Sequence, residues 1–148
     1  MVLLFGALLM KCITNLLQKK VVRAIAFKSF SSPSTPIFSD LQILKLDDLF
    51  KLKLLIFVYE SVNKSSPVCF HNFFETLSSV HQYNTRQASK GDIFITRENT
   101  VLYGLRSIRY AGAKAWNDIP YLIKISPSSM NFRSKLKLHL LSTNYQVS

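Results

Sequence analysis

The sequence predicts a mainly α, irregular helical fold with a small β-hairpin insertion around residues 92–110. Three observations predict it. Apolar residues recur at helical spacing over 13–27, 48–62 and 126–141, which is the pattern of helices that bury one face or more. Between 78 and 107 the chain turns polar and β-branched with a shorter period, as short strands do. Hydrophobic residues make up 48% and charged residues 18%, with 4 Gly and 5 Pro. That balance supplies a core and excludes wholesale disorder, collagen-like repeats and low complexity. The 148 residues suffice for one ordinary domain and are too few for two well-cored ones. The expected organisation is a basic, apolar N-terminal helix in 1–32 and a single α-rich domain in 33–148.

Each element has its own signal. In 13–27, Ile13, Leu17, Val21 and Ile25 share one side and Lys19, Lys20 and Arg23 the other. Two prolines and a serine cluster make 30–36 a loop. Thr35 is placed to cap a short helix with Pro36 at its first position, ending near Gln42. Asp47 then reads as the cap of the strongest element, 48–62. It is hydrophobic all round between Leu54 and Tyr59, so it is expected to be the central buried helix. Residues 63–67 break it, and 68–77 read as a short apolar helix. Strands are expected at 92–96 and 99–103, with an edge strand at 107–110. A short helix over 111–117 stops before Pro120. The last helix runs over 126–141 with Ser126 as cap and Pro127 in its first turn. Phe132, Leu136 and Leu140 form its buried stripe.

Nineteen Lys and Arg stand against eight Asp and Glu, a formal charge of +11. The excess sits at the ends: +5 in 1–32, −1 in 33–63, +1 in 64–92 and +6 in 93–148. Two basic flanks around a near-neutral apolar centre suit contact with phosphate. Residues 1–10 are apolar throughout, which is short of the ~20 that span a bilayer. They lack the positive n-region and small-residue cleavage site of a secretory signal, so no membrane span is expected. The first helix instead reads as one whose upstream partner is missing, leaving an orphaned apolar face. A mitochondrial presequence is the rival reading. Acids are absent before Asp40, while Lys11, Lys19, Lys20, Arg23 and Lys28 recur ahead of serine-rich sequence.

The chemistry for catalysis is thin. Asp47-Asp48 matches the carboxylate pair of a metal-dependent polymerase only loosely. Lys45 occupies the place of the aromatic residue, and no third carboxylate lies on an upstream strand. Two carboxylates ahead of an apolar run serve a helix N-terminus better. Cys69 and His71 with His81 leave only Cys12 and His139 to complete a zinc site, without a second paired motif. Two cysteines make no disulfide framework. Gly6, Gly91, Gly104 and Gly112 are scattered, so no phosphate loop exists. No enzyme activity, cofactor or metal is expected.

A basic and aromatic surface is the better candidate. Arg97, Arg106, Arg109 and Lys114 interleave with Phe94, Tyr103, Tyr110 and Trp116, as in platforms that contact phosphate and base. The aromatics read more readily as core, and the arginines equally as a phosphate-facing or a solvated face. Lys19, Lys20 and Arg23 make a second cluster, of a kind more often solvated than gripping nucleic acid. Both groups are candidate contacts for RNA or DNA backbone.

Several blocks, in order, resemble the C-terminal region of non-LTR (LINE-type, jockey-like) retrotransposon reverse transcriptases. Leu16-Leu-Gln-Lys-Lys-Val-Val-Arg-Ala-Ile25 is similar to the helix that follows the polymerase in that family. Pro36-Ile-Phe and Leu41-x-Ile-Leu-Lys-Leu46 resemble the segment before its long helix, and Leu49-x-Lys-x-Lys53 through Tyr59 the helix itself. His81-Gln-Tyr83-Asn84-Thr85-Arg86 is similar to its H-x-YNTR signature. The run from Ser107 to Pro120, with Tyr110, Gly112, Trp116, Asn117 and Pro120, is similar to its SxxYxGxxxWNxLP signature. The run from Phe132 to Leu141 is similar to its closing helix. The resemblance covers residues 16–145. Ile119 stands where the family has Leu, and the tryptophan-glycine lead-in is missing. The resemblance implies a truncated copy of an RNA-directed DNA polymerase, beginning after fingers, palm and thumb and lacking the missing upstream polymerase region as its partner. It implies nuclear or cytoplasmic placement, against mitochondrial placement under the presequence reading. The function it implies is at most nonspecific nucleic-acid binding, and the alternative is a small basic RNA- or DNA-binding module.

Overall fold

The computed structural model of the chain describes residues 2–80, 89–95 and 107–145, with side chains from 13 to 143. Among these residues seven α-helices and one 3-10 turn account for most of the chain. They are α1 (Val2–Ile25), α2 (Ser34–Asp40), α3 (Leu46–Val62), the turn Val68–Phe70, α4 (Leu77–Val80), α5 (Ile108–Asn117), α6 (Tyr121–Lys124) and α7 (Ser129–Tyr145). The fold is mainly helical. It forms two compact units, residues 1–50 with 137–148, and residues 51–136.

In the first unit, Val22 of α1 packs on Ile37 and Phe38 of α2, with Ala26 and Ile43 at the margin. Residue 32 falls inside this unit, and Arg23 of α1 donates from Nε to the Ser32 carbonyl at 2.8 Å. Gln18 adds a second tie. Its Nε2 donates to the Leu44 carbonyl at 2.9 Å, and its Oε1 accepts from the Leu46 N–H at 3.1 Å, at the start of α3. One side chain thereby meets a donor that a helix start leaves open.

Three helices end in the same way. The residues after α1, α2 and α3 with positive φ are Phe27 (51°), Gln42 (50°) and Lys64 (55°). In each case the following N–H reaches back five residues: Lys28 to Arg23, Ile43 to Phe38 and Ser65 to Glu60, at 2.8–3.0 Å. These are Schellman endings, in which a left-handed residue lets the chain satisfy the last carbonyls. Glycine normally fills that place, and none of the three positions has it. The three ends therefore carry no glycine signal in the sequence.

The second unit is built around α3, where Leu52, Leu54, Leu55, Val58 and Tyr59 are buried. Tyr59 stacks on Phe132 of α7 at 4.4 Å between ring centroids, and Phe132 stacks on Trp116 of α5 at 5.8 Å. The Tyr59 hydroxyl donates to the buried Ser126 carbonyl at 2.7 Å. A second group, Phe57, Phe70, Phe73 and Phe74, packs edge to face at 5.1–6.2 Å. Phe132, Leu136 and Leu140 are buried as the helical spacing requires.

Several local expectations are corrected. Residues 107–110 are not an edge strand. Ser107 accepts from the Tyr110 N–H at 3.2 Å and caps α5, so capping outweighs the short polar/apolar alternation. Among the described residues no hairpin occurs. Ile93 makes an antiparallel bridge with Thr76 instead, through Leu77 N–H to Asp92 and Phe94 N–H to Glu75. The expected strand at 99–103 lies outside the described residues. The stretch 68–77 is a 3-10 turn and bends rather than a helix, and α4 begins only at Leu77. Pro33 rather than Thr35 precedes α2, and Pro36 stands third in that helix, where no N–H partner is required. The Lys45 carbonyl accepts the first helical bond of α3, from the Leu49 N–H at 2.9 Å, so Asp47 and Asp48 lie in its first turn. The last helix is capped by Ser128, whose Oγ accepts from Asn131 at 3.3 Å. Ser126 is buried upstream, with its hydroxyl on the Ile123 carbonyl.

Candidate nucleic-acid interface

The residues of the 107–120 signature are mostly structural ties. Trp116 is buried, and its Nε1 donates to the Gly91 carbonyl at 3.0 Å. The Asn117 side chain accepts from the Ile93 N–H at 2.8 Å and donates to the Ile93 carbonyl at 2.9 Å. Gly112 is buried where an added Cβ would stand 3.0 Å from Phe74 and Val58. Pro120, extended at φ −59° and ψ 141°, leads into α6. Tyr110 is half-buried. Lys124 of α6 meets Asp92 at 2.5 Å, with side chains only 5% and 11% exposed. Together these ties hold α5 and α6 against residues 91–93.

The basic groups of that stretch stay outside. Lys114 is exposed, and Arg109 lies 3.9 Å from Glu75, both side chains about half in solvent. Such a pair contributes little. Five residues apart on one helix, Arg109 and Lys114 point about 140° from each other, so α5 does not gather them. Of the interleaved aromatics, Trp116 is core and Phe94 is half-buried. Arg97, Arg106 and Tyr103, and the Tyr83, Asn84, Thr85 and Arg86 signature, lie outside the described residues.

The α1 cluster is brought together. Lys20 Nζ and Arg23 Cζ each stand 5.8 Å from the Phe30 ring centroid, and that ring is 73% exposed. The turn after Phe27 folds 28–32 back along α1, with Arg23 holding the Ser32 carbonyl. Lys19, one residue from Lys20, lines a cavity of about 230 Å³ with Asn15, Ser34, Thr35, Lys45 and Asp47. Two cations around an exposed ring can hold phosphate while a base stacks on the open face.

The other candidates separate. Asp48 is buried and Asp47 is exposed, both in the first turn of α3, where negative charge is favourable. Cys69 is exposed, whereas His71 Nε2 is bonded to the Ser66 carbonyl at 2.7 Å. No group of three metal-ligating side chains occurs among the described residues. A second cavity, about 370 Å³, is lined by Val62, Lys64, His71, Asn72 and Glu75. No helix among the described residues is long and apolar enough to cross a membrane.

No family model, curated protein or solved structure matches the chain. The ties that sequence pattern does not foreshadow are Gln18, the Lys124–Asp92 pair and the Tyr59–Ser126 bond. Each joins residues 26 to 67 positions apart. No local spacing encodes such a pairing. Phe30 could have been found, because an aromatic residue in a serine-rich polar loop has no neighbouring apolar pattern to join.

Proposed function

We propose that this chain corresponds to the post-thumb, C-terminal region of a reverse transcriptase of the non-LTR retrotransposon type. In this reading its remaining activity is nonspecific contact with nucleic-acid backbone. The observation that carries the binding part is the grouping of Lys20 and Arg23 about the exposed Phe30 ring, in a stretch free of acids before Asp40. The ordered sequence blocks from Leu16 to Leu141 support the lineage. The internal ties of Gly112, Trp116 and Asn117 give those blocks a physical reason: they hold a fold together and perform no chemistry. The chain by itself copies no template.

Fluorescence anisotropy with labelled single-stranded RNA and DNA, from about 50 to 200 mM salt, tests the binding. Affinity falls linearly on a log–log plot, and random sequences bind alike. Lys19→Ala, Lys20→Ala and Arg23→Ala together flatten the slope by about 0.7 for each phosphate that the variant no longer neutralises. A slope unchanged in that variant overturns the assignment of the contact to α1. The lineage is tested separately by reading, in all frames, the DNA upstream of the stretch that encodes these residues. An aromatic-x-Asp-Asp polymerase trace is expected there, and its absence overturns the lineage.

A further inference from the structure

Among the described residues, nothing in its own unit covers the apolar stripe of α1. Ile13, Leu17, Val21 and Ile25 are 46%, 52%, 54% and 53% exposed, and Leu16 is exposed beside them. The helix packs on α2 through Val22 instead, about 120° round the helix from the middle of the stripe by the 100° step per residue. Phe27 follows the stripe and is 97% exposed. It holds a left-handed φ of 51°, in a turn where glycine would serve the backbone better. Lys20 and Arg23 border the stripe on its Leu16 side, Lys19 lies further round toward α2, and Lys28 follows the helix, with no acid anywhere in the first 39 residues.

We infer that α1 is an interfacial helix that lies on an anionic lipid surface. The inference goes beyond the nucleic-acid reading and does not depend on it. An aliphatic row cannot stack bases, whereas it enters the boundary between headgroups and acyl chains. Bordering lysine and arginine side chains keep their stems on apolar surface and their charges at headgroup level. An acid-free, basic border favours anionic headgroups over neutral ones. The mode is lying on the membrane rather than spanning it, since no described helix qualifies as a span.

Co-sedimentation of the full chain with vesicles tests this. One set is pure phosphatidylcholine, and the other equal parts phosphatidylcholine and phosphatidylserine. Binding to the second set only is expected. Leu17→Gln with Val21→Gln lowers it more than about tenfold. Lys19→Gln, Lys20→Gln and Arg23→Gln together lower it about a hundredfold, each basic group contributing a comparable factor. The apolar variant leaves oligonucleotide binding in vesicle-free buffer unchanged, which separates this inference from the preceding one. Circular dichroism verifies that each variant keeps its helix content; if the apolar pair loses it, the charge variant decides. Equal binding to both vesicle sets, or unchanged binding by the apolar variant, overturns the inference. So does a dimer in sedimentation velocity that the apolar variant dissociates in the absence of vesicle binding, because a second copy then covers the stripe. Loss of oligonucleotide binding in the apolar variant likewise assigns the face to nucleic acid.

Discussion

The carboxamide of Asn117 pairs with the backbone of Ile93 as a neighbouring strand would, accepting its N–H at 2.8 Å and donating to its carbonyl at 2.9 Å. Ile93 is buried, so both of its polar groups require partners that water does not supply. Asn117 stands at the last turn of α5, and its side chain completes the edge of the bridge that Ile93 shares with Thr76. Asparagine meets the requirement because its short planar carboxamide carries a donor and an acceptor side by side.

Asn117→Ala is expected to cost about 3 kcal/mol, the sum of two stranded backbone groups. Asn117→Asp costs a similar amount, because its carboxylate faces the Ile93 carbonyl with no hydrogen to donate. Urea denaturation followed by the fluorescence of Trp116, the one tryptophan, measures both. A loss under about 0.5 kcal/mol, less than one ordinary hydrogen bond, contradicts the assignment.

Lys124 and Asp92 are a buried pair, for which removing one partner is far worse than removing both. Lys124→Met leaves the Asp92 carboxylate buried alone and is expected to lose about 3–5 kcal/mol. Lys124→Met combined with Asp92→Leu recovers most of that loss. A double-mutant cycle in urea reads the coupling directly, and additive losses would show that the pair is not coupled.

Gly112→Ala tests the packing of α5. In an open helix the substitution would stabilise by about 1 kcal/mol. Here the new methyl meets the Phe74 ring and a Val58 methyl at 3.0 Å, both side chains buried. The net effect is a loss of about 1–3 kcal/mol. Val58→Ala in the same background restores part of it. Thermal unfolding of the four combinations checks the sign.

Lys64→Gly has the opposite sign. Lys64 ends α3 with φ 55°, where a side chain costs roughly 1 kcal/mol that glycine avoids. The substitution should therefore raise the stability of the second unit by about 1 kcal/mol, and Lys64→Val should lower it. Gln42→Gly is the equivalent change in the first unit. Unchanged urea midpoints for both would mean that the turns do not hold their left-handed residues in solution.

The helices at 13–25, 46–62 and 129–141 were legible because apolar spacing is a local quantity, and Phe132, Leu136 and Leu140 are buried where that spacing places them. The α1 stripe was legible as a stripe, and its described residues are exposed. Residues 107–110 misled because four residues of alternation match a strand as well as a capped helix start. Three helix ends lack the glycine that would have marked them. The signature residues stood out in the sequence, and Trp116 read more readily as core, which it is; its bond to the Gly91 carbonyl was not legible.

What the sequence alone determined is the helical class, the basic ends and the acid-free first 39 residues, since all three are sums or periods over neighbouring positions. Only the tertiary structure decided the partners of Asn117, Lys124, Tyr59 and Gln18, and that Lys20 and Arg23 close around Phe30. The physical reason is that a buried polar group takes whichever complementary atom the packing brings within about 3 Å. Which atom arrives depends on how distant segments pack.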